Sequence, residues 1–321
     1  MRRDDIHRNL LEALEKKIPD KAQLAEMLMD TLFMEKGAIY RRLRGEVPFS
    51  FYEVVFIAEK LGISLNNLVY ADSVKIDRFE LNMVEYLNME EADYKQWESY
   101  IALVSTAKND LQSEIAETSN VLPISIYAGF NSLSKYFLYK YNYLSSGIEN
   151  RISFGELVFP ERLQRIFRSY FIESKNFAKT IYMWDYLIFQ YLVTDIHFFY
   201  SINLISIDDI QKIKDDLFAL LNYVERITLN GRFEETGNPV FFYISDINLD
   251  ADYSYMQFND MYMSHVRTFM LNSVTSSNEF SYWKIKSWID SLKKSSTLIT
   301  QSGAIYRADF FEKQHAIISE L

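Results

Sequence analysis

Four cationic side chains crowd into one short stretch of the sequence, EKGAIYRRLRGEVPFSFYE, at residues 35–53. They are Lys36, Arg41, Arg42 and Arg44. Arginine and lysine donate hydrogen bonds to phosphate oxygens and to guanine O6 and N7, and Tyr40 between them can bond phosphate or pack on a thymine methyl group. Most short charge runs, however, are the solvated face of an ordinary helix. The stretch therefore indicates either a nucleic-acid contact surface or a plain surface helix.

Other chemistry-bearing patterns are not found in the sequence. The four histidines are scattered, and no histidine pair, phosphate-binding glycine loop or nucleophile elbow is present. Asp246, Asp250 and Asp252 could hold a hard cation, but their segment SDINLDAD is more typical of a hairpin loop rich in turn formers. We therefore expect no enzyme, no cofactor and no metal.

Charge is unevenly distributed along the 321 residues. Residues 1–70 contain 11 Lys+Arg and 11 Asp+Glu, so the remaining residues, with 23 and 33, carry the whole net charge of -10. A neutral head that holds an arginine cluster, joined to an acidic body, is typical of a nucleic-acid-binding domain with a separate partner domain. A polar joint at residues 71–77 marks the expected boundary.

The chain is expected to be cytoplasmic, without a membrane partner. It has no cysteine, and its N-terminus turns polar at once, without the apolar stretch of a signal peptide. The most apolar segment starts at Ile181 and is interrupted by Asp185 and Asp195, whereas a spanning helix needs about 20 largely apolar residues. A buried globular helix fits this segment better.

The first seventy residues predict five short helices. Apolar residues repeat at helical spacing in 4–17, and Asp20 can cap a second helix, KAQLAEMLM, followed by a connecting segment DTLFM. In the third helix Ile39 and Leu43 face inward, and Gly45 ends it. The residues left facing outward are Lys36, Gly37, Tyr40, Arg41 and Arg44.

The end of this region has two further helix signals. Ser50 and Glu53 form a capping box that opens a fourth helix, which ends at Gly62. Ser64 then caps a fifth helix, LNNLVY. Short helices around a basic third helix predict a helix-turn-helix plan.

The segments LAEMLM and AIYRRLRGEVPFSFYEVVFIAEKLGISLNNLV resemble the Cro and phage-repressor (Xre-like) type of bacterial helix-turn-helix domain. The closing pattern is matched by Ala58, Leu61, Gly62, Ile63, Ser64 and Leu68. The resemblance covers roughly residues 5–70. The sequence departs from the family in two places: the interval from Leu28 to Gly45 is some four residues longer, and Arg42 stands where the family often has a large aromatic residue.

The resemblance implies a DNA-binding role for the third helix. Carried over residue by residue, it implies that the major groove is contacted by Lys36, Gly37, Tyr40 and Arg41. It also implies that Arg44 reaches phosphate.

The remaining 250 residues read as mostly helical. A long helix over residues 90–120 would carry a heptad stripe from Tyr94 to Ile115, which suits either a helix packed within its own chain or a dimer helix. Further helices are predicted over 124–144, 160–174, 178–203 and 207–230. From Asn238 the pattern alternates and predicts a small antiparallel sheet, with two helices closing the chain.

The expected fold is therefore mostly α, close to all-α, with an α+β C-terminus. The expected domains are 1–70, the helix-turn-helix domain; 75–231, a helical bundle; and 232–321, a small α+β region. The leading functional hypothesis is a homodimeric transcriptional regulator that occupies an operator on double-stranded DNA, with a body that senses an unknown small-molecule or protein effector. The alternative is an interaction or scaffold protein whose helix-turn-helix does not bind DNA.

Overall fold

The chain forms two compact units, Met1–Asp77 and Arg78–Leu321, which we call unit 1 and unit 2. This computed structural model describes residues 3–61, 63, 65, 68, 79–146 and 151–321. Within these residues, none of the helices is long and apolar enough to cross a membrane.

Unit 1 has helices at four of the five predicted positions. They are α1 (Arg3–Lys17), α2 (Lys21–Leu32), α3 (Lys36–Leu43) and α4 (Phe51–Leu61). The expected cap at Asp20 is present, since its side chain accepts the backbone N–H groups of Ala22 and Gln23 at 2.8 and 3.0 Å. The apolar stripes meet in one core, which contains Leu10, Leu14, Leu24, Leu28, Ile39, Phe49 and Ile57.

The link between α2 and α3 differs from the prediction. The segment DTLFM was expected to be an enlarged connection, but Asp30, Thr31 and Leu32 continue α2 for almost one more turn. Only Phe33–Glu35 join the two helices, with Phe33 in the left-handed region at φ 52°. The predicted signals at Gly62 and Ser64, most of the fifth helix and the joint at 71–77 lie outside the described residues.

Unit 2 is built on one sheet of eight strands, in the order β1-β7-β6-β5-β2-β3-β4-β8. The strands are β1 (Glu80–Asn82), β2 (Glu114–Ser119), β3 (Lys179–Asp185), β4 (Val240–Ser245), β5 (Tyr253–Phe258), β6 (Met261–Thr268), β7 (Asn272–Ser276) and β8 (Ser296–Leu298). β2, β3 and β4 are parallel, whereas β5, β6, β7 and β1 continue the sheet antiparallel from the other side of β2. The sheet is therefore mixed, with β2 where its two halves meet.

The helices of unit 2 cover both faces of the sheet. They are α5 (Glu91–Ser105), α6 (Ile124–Tyr127), α7 (Asn131–Ser145), α8 (Glu161–Glu173), α9 (Ile188–Ser201), α10 (Ile207–Asn230), α11 (Glu279–Leu292) and α12 (Ala304–Ser319). Most of them pack in one large core against alternate residues of the strands, such as Tyr182, Trp184 and Phe242. The opposite face packs on α11 through Ala116, Ile181 and Tyr255.

The predicted long helix over 90–120 is wrong in its second half. α5 ends at Ser105, a short 3₁₀ turn follows, and Asp110 accepts the backbone N–H of Gln112 at 2.8 Å before β2 begins. Strand pairing on both sides satisfies the backbone of β2 and buries Ile115, which outweighs its helical pattern. The heptad stripe is therefore broken, and Ile101 and Val104 pack inside their own chain.

The other corrections also arise from the sheet. The predicted helix over 178–203 begins as β3, whose residues Thr180–Asp185 are all buried, as in a central parallel strand. The sheet is neither small nor wholly antiparallel, and the chain is α+β rather than all-α. The predicted boundary at residue 231 does not divide the structure, because β3 and β4 on either side of it pair along their whole length. The predicted helix over 207–230 is confirmed, with Gly231 following it at φ 68°.

Glu114 ties both halves of the sheet to α11. Its carboxylate accepts hydrogen bonds from Lys286 at 2.6 Å, Tyr255 at 2.5 Å and Lys179 at 2.9 Å. Burial alone would raise the pKa of Glu114, but these three donors lower it to about 2. The ionised carboxylate therefore contributes stability above its ordinary pKa of 4.5, and that contribution is lost as the pH falls through about 2.

We predict that Glu114→Gln lowers the free energy of unfolding of unit 2 at pH 7 by about 1–2 kcal/mol, a value reduced from the full pKa shift because the group keeps some solvent contact. The loss should shrink from pH 4.5 towards pH 2. Urea unfolding followed by tryptophan fluorescence measures it, since all four tryptophans lie in unit 2. Glu98→Gln, which removes a surface partner of Arg162, is the control. Equal effects of the two variants would contradict the central role of Glu114.

Candidate nucleic-acid surface and a cavity in unit 2

The predicted contact residues on and after α3 differ in their exposure to solvent. Lys36, Gly37 and Arg41 are exposed on the helix and Arg44 is exposed directly after it, whereas Tyr40 is half-buried against the core of unit 1. Gly37 is open to solvent, since a Cβ built there would meet nothing within 4 Å. The lysine ammonium lies 5.9 Å from the ring centre of Tyr40. Four of the five predicted residues thus share an accessible surface, and the fifth borders it.

Glu46 pairs with two of these residues, which the sequence did not indicate. Its carboxylate accepts a hydrogen bond from Arg44 Nε at 2.6 Å and lies 3.5 Å from Arg41 Nε. The Arg44 hydrogen bond lowers the pKa of Glu46, with a smaller contribution from Arg41. An anion that approaches this surface would therefore compete with a carboxylate of the same chain.

Arg42 has a structural role instead. Its guanidinium donates two hydrogen bonds to Glu53, from Nη2 at 2.9 Å and from Nε at 3.2 Å, and it lies 5.9 Å from the ring centre of Phe49. Glu53 also accepts the backbone N–H of Ser50 at 2.6 Å, and its own N–H bonds the Ser50 hydroxyl at 3.3 Å, which confirms the predicted capping box. Arg42 therefore fastens α3 to the start of α4.

We predict that Arg42→Ala speeds amide hydrogen exchange in the first turns of α4 by about tenfold. The variant removes both guanidinium hydrogen bonds from the half-buried carboxylate of Glu53, which caps this helix. Exchange is measured by mass spectrometry on the full chain. Arg44→Ala removes the same side chain from the exposed surface and should leave α4 unchanged. If α4 exchanges at the same rate in both variants, the hydrogen bonds between Arg42 and Glu53 do not stabilise the start of α4.

Unit 2 has a partly open cavity of about 260 Å³ beside the carboxyl end of β2. Helix residues Trp97, Tyr100, Tyr127 and Tyr170 line one side, and strand residues that include Glu117, Met256, His265 and Arg267 line the other. β2 is the strand at which the parallel half of the sheet gives way to the antiparallel half. Ligand sites are usually concave and mostly apolar, with a few polar groups that fix the orientation of the ligand. The cavity is therefore the candidate ligand site of unit 2.

Two carboxylates and one guanidinium lie in the cavity wall. Asp252 accepts the backbone N–H of Asn120 at 2.7 Å and forms an ion pair with Arg267 Nη1 at 2.8 Å, which joins the end of β2 to β6. Glu117 Oε2 accepts only the Ser125 hydroxyl, at 2.6 Å, and within the described part of the chain no ion pair reaches Glu117. Asp252 thus forms an ion pair with the guanidinium, whereas the partly buried Glu117 has the charge of Arg267 nearby without an ion pair to it.

Burial sets the protonation of the groups around the cavity. It raises the pKa of Glu117, and the Ser125 hydrogen bond and the charge of Arg267 offset this only in part. Burial also lowers the pKa of His265 to about 4, so the imidazole is neutral at pH 7. Arg267 is therefore the cation of this wall, and it is already held by Asp252.

The sequence did not point to the cavity. Glu117 lay in a predicted helix, where its neighbour across the strands could not be known, and the aromatic residues were assigned to a general core. Asp246, Asp250 and Asp252 lie in the loop between β4 and β5, as the turn formers indicate, but these strands do not pair as a hairpin, and Asp252 is also part of the cavity wall. Among the residues that the structure describes, no group of three or more acidic or histidine side chains could hold a metal ion.

Comparisons of the chain with models of known protein families, with curated proteins and with solved structures give no match.

Proposed function

We propose that the chain is a sequence-specific DNA-binding regulator of transcription, in which α3 reads the major groove and unit 2 forms a sensing or dimerising body. One observation carries the proposal: α3 keeps Ile39 in the core and Arg42 on Glu53, while Lys36, Arg41 and Arg44 remain exposed together. Arginine and lysine on such a helix supply the donors that base edges and phosphates accept.

The link between α2 and α3 also supports this function. Its three residues, Phe33–Glu35, fall within the three to four that are usual between the helices of a helix-turn-helix. The longer interval in the sequence is absorbed by the extension of α2, so the joint between the two helices keeps its usual size.

A scaffold role is the second candidate, because unit 1 also exposes aromatic side chains. Phe51, Tyr52 and Phe56 on α4 and Phe33 after α2 are between 56% and 94% exposed. Exposed apolar residues of this size are enriched where proteins bind one another. A protein-binding helix-turn-helix would use these rings rather than the arginines.

The homodimer stays a prediction without an assigned interface. The stripe proposed for it ends with α5 at Ser105, and Ile101 and Val104 are buried within the chain. A dimer of this type would read two half-sites about one helical turn apart, roughly 34–36 Å.

We predict different losses for the two exposed arginines. Arg41→Ala should weaken the binding free energy for an operator selected from random DNA by about 1–3 kcal/mol. It should also relax the preference for one base at one position of that operator. Arg44→Ala should weaken binding to all DNA sequences alike. It should also reduce the slope of log affinity against log salt concentration by about one unit, because a phosphate contact releases counterions. Fluorescence anisotropy against salt concentration measures both.

Arg165→Ala is the matched control, since it removes the same charge from an exposed arginine of unit 2. It should behave as the wild type. If Arg41→Ala and Arg44→Ala also bind operator and random duplex with wild-type affinity and slope, the scaffold function takes precedence.

We predict that Glu46→Gln strengthens DNA binding, because Arg41 and Arg44 no longer pair with a carboxylate and one negative charge leaves the surface. An exposed pair of this kind is weak, so the expected gain is about two- to fivefold. The measurement is the dissociation constant for random duplex at low salt. Glu312→Gln, an exposed acid of α12 in unit 2, makes the same charge change and is the control. An unchanged or weaker affinity for Glu46→Gln would place the DNA elsewhere.

A further inference from the structure

The charges of the cavity in unit 2 do not balance. Asp252 and Arg267 form an ion pair at 2.8 Å, so Glu117 is a second carboxyl group beside a single guanidinium. Ser125 donates to one oxygen of Glu117, and among the described residues no hydrogen bond reaches the other. Two carboxyl groups share one cation in a mostly apolar wall, so an added positive charge would complement it.

Three aromatic rings lie beside Glu117 as one packed cluster. Trp97 lies 5.8 Å from Tyr170 and 6.2 Å from Tyr100, inclined at 72° and 81°, and the two tyrosine rings lie 6.0 Å apart. At these distances the rings touch one another, so a ligand would lie against the cluster and not between its rings. Aromatic rings attract ammonium groups at their faces, which carry partial negative charge.

An anion fits the cavity less well. Arg267 is the cation of the wall, and its Nη1 is held by Asp252. An anionic ligand would share Arg267 with Asp252 and would also lie near the carboxyl group of Glu117. The volume of about 260 Å³ lies just below the roughly 300–1,000 Å³ of usual ligand pockets, which suits a compact molecule rather than a peptide.

We propose that this cavity binds a small organic cation, a primary or methylated amine on a compact apolar body, with Glu117 as its counter-ion and Trp97, Tyr100 and Tyr170 as its aromatic walls. The inference concerns unit 2 alone and does not rest on DNA binding.

The first experiment varies the charge of the probe on one body. Cyclohexylamine, cyclohexanol and cyclohexanecarboxylate are titrated into the full chain at pH 7 by calorimetry, with saturation-transfer NMR for weak binding. The amine should bind at least about tenfold more tightly than the alcohol, and the carboxylate more weakly still. Tetramethylammonium has no N–H donor, but it should also bind, because the ring faces and Glu117 attract positive charge.

The second experiment tests the residues. Glu117→Gln keeps the size of the side chain, and it should weaken amine binding by about tenfold while leaving the alcohol unchanged. Trp97→Leu should weaken the amine and tetramethylammonium alike. Glu312→Gln is the control with the same charge change on an exposed part of α12, and it should bind as the wild type. Thermal melts establish that each variant is folded.

Three results would overturn the proposal. The alcohol binds as tightly as the amine, the carboxylate binds more tightly than the amine, or no probe binds at about 50 mM. The wild-type series decides these outcomes even if a variant does not fold. DNA binding plays no part in the measurement, so its absence would leave the result unaffected.

Discussion

The position of β2 constrains the rest of unit 2. It pairs parallel with β3 and antiparallel with β5, so both of its edges are satisfied and it joins the two halves of the sheet. Its two faces have different roles. Glu114 holds α11 through Lys286 on one face, and Glu117 lies in the cavity wall on the other. A single short strand therefore positions both the main ion-pair centre of the sheet and the candidate ligand site.

The neighbouring arginines of unit 1 differ in the carboxylates that they contact. Arg42 lies against Phe49 and forms hydrogen bonds with the capping carboxylate of Glu53, whereas Arg41 and Arg44 pair with the exposed Glu46. A guanidinium held by two hydrogen bonds in a half-buried place resists removal, while exposed pairs exchange readily with solvent ions. α3 thus carries one arginine held in the structure beside an exposed basic surface.

The two proposed sites are independent in their chemistry. The surface of α3 offers cations to an anionic polymer, and its binding would depend on salt. The proposed ligand of the cavity in unit 2 is a small cation, which would lie against a partly buried carboxyl group and aromatic rings. A regulator with both would respond to a metabolite-sized signal in one unit and contact DNA with the other.

The sequence by itself determined what depends on neighbours along the chain. The cap at Asp20, the capping box of Ser50 and Glu53, the limits of α10 and the exposed basic residues of α3 are local, and periodicity and turn chemistry revealed them. Only the tertiary structure decided that residues 114–119 and 179–185 are strands, because parallel pairing joins segments about 65 residues apart and buries them on both faces. The partner of Arg42, eleven residues away, and the isolation of Glu117 were decided in the same way, since both depend on which distant side chains the fold brings together.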